Sequence, residues 1–390
     1  MNLKNDKKRV RTILTTQGQL SINRTILLPA DKESALKLYE ETQEWSVIPM
    51  DIALEIDTLP FKMTRAMMCE VAFWAQNQSS YKSAENILEK IGNRVAADTI
   101  RLVSECIGKI VFDSDTSAAH EYYEQLINIK YTKDRKGVLY IQTDGAALNT
   151  RTKDDNGSTW RENKLGMVFS SDNITTRINK KGDKVSIIRK KEYTSYVGSV
   201  DEFKKYLLAC AIRNGYGRYQ TTVVLGDGAT WIRNMCDELF PDAIQILDLF
   251  HLCENVYEYA KAIFKNDEHK YKPWAEILIE RFKNSEVSEA LKMIKPYKNR
   301  KLPKNVVNLY VYVQNNINKI DYKQYVEKGY YVGSGAIESG NKVVLQKRLK
   351  LAGMRWNTST AQYLLTLRAK FESGLWVEDV VNKIACYDFS

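Results

Sequence analysis

The chain has 390 residues, of which 44% are apolar and 27% charged, so global disorder is excluded and a sizeable core is expected. Its length exceeds that of a usual single core, and we expect two or three structural units. The formal net charge of +10 favours an acidic polymer as partner, because Lys and Arg that neutralise phosphates release condensed counterions. A charge that serves solubility alone is the alternative.

Several classes of protein are disfavoured by missing motifs. The six cysteines lie far apart and form no CxxC pair, which argues against a zinc ribbon or a disulfide framework. The basic N-terminus MNLKNDKKRVR has no apolar core of a signal peptide, and no window approaches about eighteen uninterrupted apolar residues. A P-loop is absent as well. We therefore expect a cytoplasmic protein with no membrane span and no ATP-driven step.

The first part of the chain has a helical pattern. From residue 31 to about 125, apolar residues recur at three- and four-residue spacings, as in SALKLYEETQEWS and MTRAMMCEVAFWAQNQ. We therefore expect an all-α N-terminal domain, within a mostly helical N-terminal region of residues 1–130.

A helix-turn-helix candidate lies at 82–110 within this domain. One helix is predicted from about Lys82 to Ile91 and the next from about Ala96, with a turn between them. An αα-hairpin that packs on its neighbours gives the same pattern. In the DNA-binding interpretation, the residues near a major groove are Asn93, Arg94, Asp98 and Arg101.

Between about residues 136 and 248 the pattern changes to short apolar runs bounded by turn residues. Five strands are predicted, in GVLYIQTDG, KLGMVFSSD, KVSIIRKKEYTSYVG, TTVVLGDG and AIQILDLF. Helical patterns in VDEFKKYLLACAIRNG and ATWIRNMCDELF separate the last three strands. Three successive strands, then strands alternating with helices, predict an α/β fold with an RNase H-like mixed five-stranded sheet and flanking helices.

The remaining chain is again helical in pattern. We interpret residues 252–326 as a helical insertion that precedes the last catalytic helix. The RNase H-like core is then formed by residues 131–251 together with 327–390, which include a basic C-terminal segment.

Three acidic residues stand out as candidate ligands. Asp144 and Asp227 each follow an apolar run and precede a glycine, and the carboxyl ends of strands are where open α/β sheets bind ligands. We expect both acids just past a strand end, with the glycine permitting a tight turn, although ordinary turns give the same pattern. Glu338 follows the small residues of GSGA, which are predicted to let its helix lie close to the sheet.

This set of ligands suits hard divalent ions. Carboxylate oxygens from two strands and a helix favour Mg²⁺ or Mn²⁺. Two such ions about 4 Å apart stabilise both the attacking and the leaving oxygen of an in-line displacement. We therefore expect a divalent cofactor, with two ions bound.

The ordered motifs TDGAALNTR, GDGATWI, LDLFHLCENVY, GSGAIESGNK and LAGMRW resemble prokaryotic insertion-sequence transposases of the ISLre type, over almost the whole chain. The resemblance implies a DDE-superfamily enzyme in which Asp144, Asp227 and Glu338 are catalytic and bind metal. It also implies that an N-terminal region binds the terminal inverted repeats, and that double-stranded DNA is cleaved and joined to target DNA. By analogy we expect a homodimer or higher oligomer, associated with the nucleoid when bound to DNA.

Asp248 and His251 are accessory candidates, because DLFH resembles a DxxH feature near the active site of Mutator-like transposases. His251 is expected to order a phosphate or a DNA strand, and a hydrogen-bonded structural histidine is the alternative. A separate metal site of Asp248, His251 and Glu254 is disfavoured, because their spacing spreads the outer pair around a helix.

Basic and aromatic residues near the last motifs are candidate DNA contacts. Arginine and tryptophan together can clamp phosphates and stack on a base. A core position for the tryptophan and a solvated face for the charges are the alternatives. With the two arginines of the helix-turn-helix candidate, Arg94 and Arg101, the predicted DNA-binding residues are Lys347, Arg348, Lys350, Arg355 and Trp356.

Two other functions use the same residues. An RNase H-like nuclease would hydrolyse nucleic acid without joining strands, and a transposase-derived DNA-binding protein would have lost catalysis. The three acids argue against the second. A glycosidase explains neither the net basicity nor the third acid.

Overall fold

The computed structural model describes residues 3–125, 129, 131–178, 182, 184–333 and 335–389. The chain divides into two compact units, one of residues 1–112 and 375–390, the other of residues 113–374. No helix in the described ranges has the length and apolarity that crossing a membrane requires. Ser334 of the predicted GSGA segment lies outside the described residues.

The first unit begins with a β-hairpin and is otherwise helical. Its last two elements come from the C-terminus, a π-helical turn at Val377–Val381 and a short helix at Asn382–Ala385. Helix α5 starts in this unit and ends in the other. In chain order the elements are β1 (Leu3–Thr15), β2 (Gly18–Pro29), α1 (Lys32–Thr42), α2 (Pro49–Ala53), α3 (Arg65–Asn77), α4 (Tyr81–Lys90) and α5 (Ala97–Glu124).

The prediction of an all-α N-terminal domain is wrong for the hairpin. Its strands are rich in β-branched residues, which favour extended chain. Gly18, at a φ of +108°, supplies the left-handed conformation that the reversal needs. Ile13, Leu14 and Ile26 are buried.

The two helices of the helix-turn-helix candidate lie close to their predicted positions, as α4 and the start of α5. Asn93, between them, is 1% exposed, so the expectation that it faces a DNA groove is wrong. Its burial on neighbouring residues is the behaviour of a packed turn.

The second unit contains the sheet and a long helical region. The sheet-forming half consists of β3 (Arg135–Asn149), β4 (Trp160–Ser170), β5 (Ile174–Ile178), β6 (Lys184–Ile188), β7 (Glu192–Val197), α6 (Val200–Arg213), β8 (Tyr219–Gly226), α7 (Thr230–Leu239) and β9 (Ile244–Leu247). The rest consists of α8 (Leu249–Ile263), α9 (Glu268–Lys283), α10 (Val287–Ile294), α11 (Leu309–Asn315), α12 (Tyr322–Glu327), α13 (Gly335–Asn341), a π-helical segment (Lys342–Gln346), α14 (Lys347–Leu349) and α15 (Thr358–Glu372). Short 3₁₀ turns occur at Ser171–Asn173, Lys295–Tyr297 and Ile317–Lys319.

Five strands form one mixed sheet in the order β7-β4-β3-β8-β9. The pairs β3–β4 and β4–β7 are antiparallel, whereas β3–β8 and β8–β9 are parallel. The antiparallel strands β3, β4 and β7 therefore form one half of the sheet, and β8 and β9, which alternate with helices, extend it beyond β3. This arrangement is compatible with an RNase H-like fold.

The predicted third strand, KVSIIRKKEYTSYVG, is two strands. Its first half is β6, which pairs with β5 outside the main sheet, and its second half is β7, an edge strand of the main sheet. The charged run Arg189-Lys190-Lys191 separates them. Because charged side chains are costly to bury, this run stays outside the main sheet, which the chain enters at Glu192.

The two faces of the sheet are covered by different helices. In β4, a Cβ at Gly166 would lie 2.6 Å from Leu207 of α6, whereas the preceding residue, Leu165, faces α13. Successive residues of a strand point to opposite faces. In β3, Leu139 and Ile141 accordingly belong to the core cluster with α6 and α7. The alternate positions of β3 face the region of α13.

Gly340 lets α13 lie close to the sheet. A Cβ at this position would lie 2.7 Å from Tyr193 Cε1 and 3.2 Å from Leu165 Cδ2. Around Gly333 and Gly335 there is no atom within 4 Å of such a Cβ, so the prediction that these small residues provide the close approach is wrong. The contact surface lies one to two turns further along the helix.

Replacing Gly340 with alanine should push α13 away from β4 and β7. We expect Gly340→Ala to lower the free energy of unfolding by about 1–3 kcal/mol, the usual cost of overpacking a filled core. Gly335→Ala is the matched control, because open space surrounds it. Chemical denaturation of both variants measures the difference, and equal stability of the two would contradict the close approach.

Candidate metal-binding active site

Three aspartates lie just beyond the points where the parallel pairing of β3, β8 and β9 ends. They are Asp144, Asp227 and Asp248. On neighbouring strands, Gln142 pairs with Leu225, and Leu225 pairs with Ile246. Each aspartate lies two residues after one of these three paired residues. The acids therefore reach the same edge of the sheet at the same level, as expected for ligands of an open α/β sheet.

Asp144 lies within β3 rather than past its end, which corrects the expected turn. The parallel pairing of β3 with β8 ends at Gln142, but the antiparallel pairing with β4 continues, and Asp144 pairs with Leu165. Gly145 likewise has an ordinary strand conformation and supplies no turn. A Cβ there would lie 2.4 Å from Glu162 Oε1, so the glycine provides space for a neighbouring side chain.

Asp227 directly follows β8, as the sequence predicts. Gly228 has a φ of +85°, so this second Asp-Gly pair does form a sharp turn. The Asp227 carboxylate Oδ1 accepts a hydrogen bond from the backbone N–H of Ala229 at 2.8 Å. Its backbone carbonyl accepts one from the Tyr312 hydroxyl at 2.6 Å, which ties the turn to α11.

Asp248 directly follows β9 and is the N-cap of α8. Its Oδ1 accepts from the backbone N–H of Phe250 at 2.9 Å, and the residue is fully buried. The second oxygen, Oδ2, lies 3.7 Å from Nε2 of His251. On the other side of the imidazole ring, Nδ1 lies 3.2 Å from Oε2 of Glu254.

Glu338 lies in the first turn of α13 and comes close to this pair. Side-chain ligand atoms of Asp248, His251 and Glu338 all lie within 4.8 Å of one another, and among the described residues this is the group with such spacing. Asp144 and Asp227 lie outside the group. Glu254 also lies outside it. The proximity of Glu338 to Asp248 and His251 was not predicted, because residues 251 and 338 are distant in sequence.

The electrostatics connect the two parts of the site. Burial raises the pKa of Asp144, and the nearby charge of Asp227 raises it further. Hydrogen bonds from Gly145 and Asn341 and the proximity of His251 lower the pKa in part. Within the described part of the chain, no Lys or Arg forms an ion pair with Asp144 or Asp227. Two adjacent carboxylates without a basic partner repel each other unless a proton or a cation intervenes.

These residues fit a divalent cation. Carboxylate oxygens are the ligands that Mg²⁺ and Mn²⁺ prefer, and the imidazole is a ligand for transition ions. Asn341 adds an amide: its Nδ2 donates to Asp144 Oδ2 at 2.6 Å, and the residue is 3% exposed. The site therefore offers a metal ion several oxygen ligands and one nitrogen ligand at one edge of the sheet.

Two supporting residues of β3 were missed by the sequence analysis. Tyr140 accepts a hydrogen bond at its hydroxyl from the backbone N–H of Tyr331, and Gln142 donates through Nε2 to the carbonyl of Gly333. Together with Asp144, they are alternate residues on one face of the strand. The alternation of polar with apolar residues in LYIQTD was the available signal.

The predicted DNA contacts fall into two groups. Lys347, Lys350 and Arg355 are exposed. Arg348 is 1% exposed and lies over the ring of Trp356, which is 8% exposed and donates through Nε1 to the carbonyl of Leu349. The prediction that Arg348 and Trp356 contact DNA from the surface is therefore wrong. The apolar ring and the aliphatic part of the arginine pack in the core instead.

The two predicted contacts in the first unit are accessible but paired. Arg94 lies 3.4 Å from Glu89, with its side chain 87% exposed. Arg101 Nη1 donates to Glu105 Oε2 at 3.0 Å, one helical turn away. Exposed pairs of this kind contribute little stability, so both arginines stay candidates for a phosphate partner.

Comparison with known proteins gives a family. Residues 5–383 match the uncharacterised protein family UPF0236. The chain belongs to the UPF0236 family. A search of curated proteins finds no match. Among solved structures, this UPF0236 chain is similar to one from the Drosophila P element transposase strand transfer complex, with 10% identity, a TM-score of 0.26, and coverage of 90% of this chain and 89% of that chain.

Replacing Asp144 with asparagine should stabilise the metal-free protein. Because the pKa of Asp144 is raised in the folded protein, ionising this carboxylate lowers the free energy of unfolding. The full loss of stability is reached at pH values above the raised pKa. The amide of Asn341 can rotate to bond an asparagine. We expect Asp144→Asn in EDTA at pH 8 to raise the unfolding midpoint, by about 2–4 °C for each kcal/mol relieved.

The pH dependence of this gain has a defined sign. As the pH falls through the raised pKa toward the ordinary value of 3.8, the parent protonates Asp144 and the advantage of the variant disappears. Asp155→Asn, in an exposed loop, is the control and should leave the midpoint unchanged. Calorimetry at several pH values measures this, and a variant less stable than the parent at pH 8 would be evidence against the strained pair of acids.

Proposed function

We propose that this chain is a DDE transposase of a bacterial insertion sequence, of the ISLre type, with an RNase H-like catalytic core. In this proposal Asp144, Asp227 and Glu338 are the catalytic, metal-binding acids. The observation that supports it is the alignment of three aspartates at the ends of parallel strands, with Glu338 and His251 next to Asp248. The cofactor is Mg²⁺ or Mn²⁺.

Divalent ions at such a site polarise a phosphodiester and activate the attacking oxygen, first of water and then of a DNA 3′-hydroxyl. The chain's own residues keep the ligands in place. Asn341 orients the Asp144 carboxylate, and Tyr312 holds the backbone of Asp227. Preorganised ligands of this kind lower the cost of reaching the reactive geometry.

Binding of double-stranded DNA follows from the charge and from the exposed cations. Lys347, Lys350 and Arg355 follow the helix of Glu338, where they are available to phosphates near the reacting bond. In this proposal Arg94 and Arg101 belong to a region that binds the terminal repeats. Homodimeric or higher assembly brings two element ends together, and the protein acts on DNA in the bacterial cytoplasm.

The test is a strand-transfer assay. Purified protein, Mg²⁺ and a labelled linear DNA that carries the genomic sequences flanking its gene are incubated, and cleavage and joining are followed. We expect Asp227→Asn to lower both activities by about 100-fold or more, because a lost metal ligand costs about 3 kcal/mol or more of transition-state stabilisation.

The matched control is Asp155→Asn. Asp155 is exposed, whereas its neighbour Asp154 accepts backbone hydrogen bonds from Asn156 and Ser158 and pairs with Arg161, so that changing Asp154 risks disturbing the loop. Joining at the parent rate in Asp227→Asn would contradict the catalytic assignment. Cleavage without joining in the parent would favour a nuclease, and DNA binding without either activity would favour a transposase-derived DNA-binding protein.

A further inference from the structure

We propose that Asp248, His251 and Glu338 form a second cation position, beside Asp144 and Asp227, and that its imidazole ligand favours a first-row transition ion such as Mn²⁺ over Mg²⁺. This inference rests on the proposed function, since it assigns ligands within the same site. It differs from the expectation that three carboxylates alone bind both ions.

The spacing of the three side chains fits a single ion. Bonds from a transition ion to nitrogen or carboxylate oxygen are about 2.0–2.2 Å long, so two ligands of one ion are at most about 4.4 Å apart. The distance between His251 Nε2 and Asp248 Oδ2, 3.7 Å, lies within this limit, and the three groups lie within 4.8 Å of one another, so that a small side-chain adjustment brings all of them to ligand distance. A direct N–H···O hydrogen bond is shorter, at about 2.7–3.2 Å. The separation of 3.7 Å therefore fits two ligands of one cation.

Glu254 orients the imidazole for this role. Its Oε2 lies 3.2 Å from Nδ1 of His251, so Nδ1 carries the proton that it donates. In the neutral ring Nε2 then presents its lone pair toward Asp248 and Glu338. Histidines that bind metal commonly donate their other ring N–H to a carboxylate, which sets the tautomer and orients the ring.

Asp248 is positioned as a ligand by its own helix. Its Oδ1 is used in capping α8, through the N–H of Phe250, and the other oxygen is the one directed to His251. The residue is fully buried, and a carboxylate is costly to bury as an anion unless a positive charge compensates it. A divalent ion bound by Asp248 and Glu338 would add positive charge beside this buried carboxylate.

Asn341 provides an independent observation at the same place. It follows Glu338 by three residues in α13, so the two side chains lie on the same side of the helix. Its Nδ2 binds Asp144, while its Oδ1 is buried without a hydrogen-bond partner in the described part of the chain. Such an acceptor calls for a water or an ion. Asn341 therefore offers a further oxygen on the side of α13 that contains Glu338.

The ligand types decide which ion is preferred. Mg²⁺ binds oxygen ligands at near-octahedral geometry and keeps several waters, whereas imidazole suits first-row transition ions. The pair Asp144 and Asp227, which offers oxygen only, suits either ion. We therefore expect two unequal positions, one tolerant of Mg²⁺ and one selective for transition ions.

Electron paramagnetic resonance of the full-length protein with Mn²⁺ tests this directly. Titration should give two bound Mn²⁺ per chain, and pulsed spectra should show ¹⁴N modulation from a coordinated imidazole. His251→Ala should lose one bound ion and the ¹⁴N signal. His269→Ala, an exposed histidine of α9, is the matched control and should keep both.

Glu254→Gln is a second variant, in case His251→Ala fails to fold. It should keep the ¹⁴N signal and weaken binding at this position by about tenfold or more, the usual effect of losing the partner that orients a histidine ligand. Mn²⁺ bound with no ¹⁴N signal in the parent would overturn the inference and leave the proposed function intact. Two ions retained in Asp227→Asn would instead overturn the proposed metal role of Asp227 and leave the histidine position standing.

Discussion

The site depends on the alternation of side chains along one strand, β3. Its residues on one face, Leu139 and Ile141, belong to the apolar core with α6 and α7, while the residues between and after them bind the segment that leads to α13. Tyr140, Gln142 and Asp144 make successive hydrogen bonds to Tyr331, Gly333 and Asn341. Because a one-residue slip of a strand exchanges its two faces, the register of β3 fixes both the core and the position of the helix that contains Glu338.

The helical region after β9 supports the same edge of the sheet from the other side. The Tyr312 hydroxyl binds the carbonyl of Asp227, and the Tyr322 hydroxyl binds that of Leu247, directly before Asp248. Backbone groups at strand ends need partners when they are buried, and these tyrosines supply them. Helices α11 and α12 are thus part of the construction of the site, although they contribute no ligand to it.

Local patterns in the sequence predicted the five strands, the helices between them, and the acids Asp227 and Asp248 at strand ends. They did not predict the hairpin at 3–29 or the division of the third strand, where a short charged run decides the pairing. The close group of Asp248, His251 and Glu338 depends on contacts across 87 residues of chain, which no local pattern encodes. Charge also misled the interpretation of Arg348, because an arginine that stacks on Trp356 has the same sequence signal as one that binds phosphate.

The central claim is that Asp144 and Asp227 hold a divalent ion at the carboxyl edge of the sheet. Anomalous diffraction from crystals soaked in Mn²⁺ tests it most directly. The account predicts a peak about 2.2 Å from a carboxylate oxygen of each of these residues, the usual length of such a metal–oxygen bond. A map in which Mn²⁺ binds elsewhere, with no peak between Asp144 and Asp227, would contradict it.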